Sequence, residues 1–142
     1  MCNQKLCSPV LLFLVLLTFS ACTIIGSSIP PERQIALQPG NSIQGFFKSA
    51  SLDVQYTYSV NDTKLTLSGK IYFKGMDVGS LDVRLLLLDS QGTVIQQKLV
   101  YSSGYRTTNG RRNRSFNTSL LLPEEVTAVS FAYSSQPRNG RR

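Results

Sequence analysis

Histidine and tryptophan are absent from this 142-residue sequence, and cysteine occurs only three times. Without histidine there is no ordinary general base for neutral pH, no Ser–His–carboxylate relay and no histidine-containing zinc site. Cys2, Cys7 and Cys22 all lie in the first 22 residues, so the rest of the chain holds neither a disulfide nor a thiol nucleophile. Acids are scarce as well, eight against fifteen lysines and arginines, for a formal charge of +7. Neither a GxGxxG run nor a lysine-bearing phosphate loop occurs. Carboxylates are the one remaining catalytic resource, and Asp62, Asp89, Glu124 and Glu125 sit at predicted turns, where they cap backbone groups. Asp77 and Asp82 flank a glycine loop whose spacing does not match a calcium loop. The serine pairs Ser102-Ser103 and Ser134-Ser135 have no base beside them. Neither enzyme activity nor a cofactor or metal is expected.

Long apolar runs are equally rare, and the one present opens the chain. Val10–Phe19 (VLLFLVLLTF) follows a short polar start with Lys5 and leads into Ser20-Ala21-Cys22, the layout of a secretory signal with small residues at its cleavage site. Ten apolar residues fall short of the ~20 that cross a bilayer. Counting on through Ile24 and Ile25 gives a marginal span, so an uncleaved anchor and plain secretion both stand as alternatives. The segment resembles the bacterial lipoprotein signal, in which cleavage exposes a cysteine that becomes acylated. The resemblance implies that Cys22 carries the lipid, that Cys2 and Cys7 leave with the leader, and that the membrane is a partner. The address implied is the bacterial cell envelope, on the periplasmic side of the outer membrane. Several acyl chains on one residue suffice for stable anchoring, where a single chain does not.

Residues 1–21 are therefore read as leader, leaving enough chain for one domain with a single core. Residues 22–42 contain Pro30-Pro31 and Pro39-Gly40 among Ser and Gly, and are read as the lipidated N-terminus with a flexible tether. The competing reading of this stretch is a first strand at Gln34–Leu37, where Ile35 and Leu37 alternate. Residues 43–133 carry almost only strand signals. Leu52, Val54, Tyr56, Tyr58 and Val60 share one face, and Leu65, Leu67, Ile71 and Phe73 resume the pattern after an Asn61-Asp62 turn. Gly69 interrupts that second run, marking a bulge or a close approach. Leu85–Leu88 is apolar on both faces, which places its strand centrally. Asp89-Ser90-Gln91-Gly92 suits a turn closing a hairpin onto Thr93–Tyr101. Phe116–Leu122 and Val126–Tyr133 supply two more strands, and residues 134–142 form a basic tail. No helical period extends over three turns. The expected fold is all-β, an antiparallel immunoglobulin-like sandwich of six to seven strands, with a small barrel as runner-up.

Val83–Ile95 (VRLLLLDSQGTVI), with Leu122-Pro123 and Val129–Tyr133, resembles the small bacterial sandwich modules named for an F-x-L-Y-D signature. Leu87-Leu88-Asp89 stands where Leu-Tyr-Asp would be. The resemblance implies an envelope module and carries no catalytic residues.

Seven of the nine arginines lie at or beyond Arg106. Asn109–Arg114 (NGRRNR) is partly repeated as Arg138–Arg142 (RNGRR), giving Arg111, Arg112, Arg114, Arg138, Arg141 and Arg142 as candidate anion-binding residues. Solvated turn arginines are the plainer reading of such runs. Tyr101 and Tyr105 add stacking that would also suit single-stranded nucleic acid, but the expected compartment argues against that partner. Three functions fit: a lipid-anchored envelope interaction or structural module; a binding module for anionic lipid head groups, glycolipid or wall polymer; and an accessory lipoprotein of a secretion or surface assembly machine. An envelope protein or an anionic polymer is the expected partner.

Overall fold

The computed structural model describes residues 24–74, 78–104 and 114–137. Among them are eight strands and one turn of 3-10 helix, Pro31–Arg33. The strands are β1 (Ile35–Ala36), β2 (Gly40–Lys48), β3 (Leu52–Asn61), β4 (Lys64–Phe73), β5 (Val78–Leu88), β6 (Val94–Ser102), β7 (Ser115–Leu121) and β8 (Ala128–Pro137). They form two antiparallel four-stranded sheets, in the orders β1-β8-β5-β6 and β2-β3-β4-β7. The architecture is the expected sandwich rather than a closed barrel.

Period-two patterning explains the main core. Leu52, Val54, Tyr56, Tyr58 and Val60 of β3 are buried together with Leu65, Leu67 and Ile71 of β4, facing Leu81, Val83, Leu85 and Leu87 of β5. Phe131 of β8 is the aromatic hub, with its ring centroid 5.4 Å from Phe47 and 6.1 Å from both Tyr56 and Phe116. The β3–β4 hairpin closes at Asn61 and Lys64, with Asp62 in a left-handed conformation at φ 53° that aspartate tolerates. At the β5–β6 hairpin Gly92 N–H donates to Asp89 O at 3.0 Å, and Gly92 takes φ 78°. The Asp89 carboxylate accepts from the Gln91 and Thr93 amides, so this acid holds its own turn. Gly69 marks a close approach and not a bulge. Pairing is continuous on both sides of it, and a Cβ there would lie 2.6 Å from Gln55 O and 2.8 Å from the Phe116 ring.

Two sequence expectations are corrected at the ends of the domain. The stretch 24–42, read as a tether, is docked. Ser28 bridges to Thr93, Gly26 N–H donates to Val94 O at 2.7 Å, and Ile35 and Ala36 pair with Val129 and Ala128. The cause lies in the apolar run of β5. Leu86 and Leu88 face away from the main core, and with Val94 and Ala128 they form a second cluster that Ile24 and Ile29 cover. A strand apolar on both faces needs a lid on each, and the prolines of this segment shape that lid instead of a spacer. At the other end, residues 134–137 continue β8 because β5 begins early enough to pair with them, Leu81 opposite Ser135 and Val78 opposite Pro137. The side chains of Ser134, Ser135 and Gln136 are exposed, which is why the sequence reads as tail.

Candidate binding groove

Edge strands lie side by side where β1 of one sheet meets β2 of the other, and a groove of about 330 Å³ opens between them. That volume is at the small end of ligand pockets, which run ~300–1,000 Å³. One wall is β2 from Ile43 to Lys48; the other is the 3-10 turn and β1, from Glu32 to Gln38. Phe47, Tyr56 and Tyr58 make the floor. β1 is only two residues long because the chain turns away at Pro31–Arg33, so this side of the sandwich stays open.

Each floor residue is set by its strand. Phe47, on the inward face of β2, is buried against Phe131, while its neighbour Phe46 points outward and is 62 % exposed. Tyr58 spans the two sheets at one end of the groove: its hydroxyl donates to Ala36 O at 3.0 Å and accepts from Gln38 N–H at 3.3 Å. Tyr56 differs. It is 8 % exposed, its hydroxyl reaches towards Gly45, and it makes no hydrogen bond among the described residues. The hydroxyl itself is not sealed in the core but opens into the groove, where solvent or a ligand reaches it. Burial, with the neighbouring Tyr58 second, pushes the Tyr56 phenol above its ordinary value of 10.0. It therefore remains a neutral donor throughout the physiological range. The proton it keeps favours the folded state below pH 10, and that contribution is lost as pH rises through the raised value.

The rim is cationic. The Arg33 guanidinium lies 5.7 Å from the Phe47 ring centroid, and neither Arg33 nor Lys48 has an ion pair among the described residues. The one ion pair found there is Lys74–Asp53, at 2.8 Å. Arg33 is held by its own backbone, whose carbonyl accepts from the buried Ser130 hydroxyl at 2.7 Å. Glu32 is the one acid among the described residues that line the groove.

Of the residues singled out from sequence, Cys22, Arg111, Arg112, Arg138, Arg141 and Arg142 lie outside the described residues. Arg114 is described: it is half-buried, and its carbonyl accepts from Ile71 N–H at 2.8 Å. The strands around the arginine segments are placed too. Asp82 of β5 pairs with Ser102 of β6 on one side and Ser134 of β8 on the other, so both segments leave the same end of the sandwich. The groove itself was missed from sequence. Arg33 fell within the supposed tether, and the adjacent Phe46-Phe47, one of which must face outward on any strand, was the available signal. No family model, no curated protein and no solved structure matches this chain.

Proposed function

We propose that this chain is a non-catalytic binding module of the bacterial cell envelope, held to the membrane by acyl chains on Cys22, with the β1–β2 groove as its working surface. The Tyr56 hydroxyl, which makes no hydrogen bond among the described residues and lines the same groove as Arg33 and Lys48, carries the binding part of this reading. The signal-like segment ending at Cys22 carries the address, together with the resemblance to small envelope sandwich modules. Ile24, two residues past Cys22, already packs against the sandwich, so the domain stands against the bilayer and not away from it on a leash. Growing cells on an alkyne-tagged palmitate tests the address. The wild-type chain takes up the tag and Cys22→Ser does not; an untagged wild type, or equal tagging of both, contradicts it.

A second reading gives the arginine segments an anionic ligand. Ile24 docks at the Leu88–Val94 end of its sheet, whereas the arginine segments leave from the Asp82 end, about 20 Å away at ~3.3 Å per strand residue. That separation favours a wall polymer or a glycolipid over the head groups of the anchoring leaflet.

A further inference from the structure

We infer that the groove takes an extended acidic peptide segment, which adds to β2 as an extra strand. The inference rests on reading the chain as a binding module, but not on its lipid. β2 pairs with β3 on one side only, and from Ile43 to Lys48 that pairing runs without a shift. Every second residue of such an edge strand turns its amide and carbonyl away from its partner, here towards the groove. These groups sit at strand spacing, which suits another backbone better than a compact molecule. The irregularity that would blunt the edge is confined to Gly40–Ile43, upstream of this stretch. The opposite wall does not compete for the same strand, since β1 is short and already paired to β8.

Side-chain chemistry narrows the partner. An added strand directs alternate residues at the floor of Phe47, Tyr56 and Tyr58, which suits apolar side chains there. Tyr56 O–H donates to a peptide carbonyl, an acceptor that no group among the described residues supplies. The intervening side chains share the outward face of β2 with Lys48, the Arg33 guanidinium lies over the Phe47 ring at the floor, and carboxylates on the segment complement both cations.

The test uses the full chain in detergent and three capped hexapeptides: alternating valine and glutamate, alternating valine and lysine, and the glutamate peptide interrupted by a central proline. The glutamate peptide is expected to bind at least about tenfold tighter than either of the others, and to protect the amides of residues 43–48 from hydrogen exchange. Tyr56→Phe, which removes only the hydroxyl, weakens binding several-fold, and Arg33→Glu with Lys48→Glu reverses the preference towards the lysine peptide. Equal binding of the acidic and basic peptides overturns the inference. So do indifference to the proline, protection confined to other strands, tight binding of inorganic phosphate with no peptide binding, or a dimer formed through β2. A chain that carries lipid yet binds none of the peptides contradicts the inference alone; a chain that binds them but carries no lipid contradicts only the address.

Discussion

A chain that begins at Gln38 instead of Cys22 is expected to lose about 3–6 kcal/mol of stability, roughly half of what a domain of this size possesses. Ile24 and Ile29 cover Leu86 and Leu88, and Ile35 and Leu37 pack on the main core. Each half-buried aliphatic side chain contributes about 1 kcal/mol or somewhat more. Removing Arg33 also removes the acceptor of the Ser130 hydroxyl, which then faces water on the uncovered sheet, so the lost hydrogen bond adds about 1 kcal/mol at most. Equilibrium urea unfolding of the two chains measures the difference. An unchanged midpoint would return residues 24–37 to the role of a spacer.

Phe131→Ala is the most damaging single substitution expected. The side chain is 1 % exposed and its ring meets those of Phe47, Tyr56 and Phe116. Truncating a buried phenylalanine costs about 3–5 kcal/mol, part of it from the cavity left behind. Two of the three rings it supports are the floor of the groove, so binding weakens even under conditions where the variant remains folded. Leu121→Ala, at a position 72 % exposed, is the comparison and shifts stability by about 0.5 kcal/mol or less. Thermal unfolding of both variants checks the contrast; a Phe131 variant as stable as the Leu121 one would mean the hub is misplaced.

The elements most legible in the sequence were those whose burial follows a strict period. β3 and β4 alternate cleanly, and β5 announces its central place through four consecutive leucines. The Asp89–Gly92 turn was readable because its residue types carry their own hydrogen bonds. The covering segment was not, because Pro30-Pro31 and the surrounding serines look the same whether the chain is free or laid over a sheet. The leucine run held the missing clue, since Leu86 and Leu88 require something apolar from elsewhere in the chain. The groove was hidden for a similar reason. Its two walls, 32–38 and 43–48, are nearly consecutive in sequence but belong to different sheets, and nothing local to Arg33 or Tyr56 marks them as facing one another. The arginine repeat, conspicuous in sequence, lies outside the described residues; the strand ends that flank it are at the opposite end from the docked segment.

The most direct test of the groove as the working surface is crosslinking in living cells from a photoreactive residue at position 46, beside the groove, with position 121 on the far edge as control. A discrete adduct is expected from position 46 and not from 121, and it should disappear when Arg33 and Lys48 are both changed to glutamate. Equal capture from both positions, or an adduct indifferent to the charge reversal, would contradict a binding role for this edge of the sandwich.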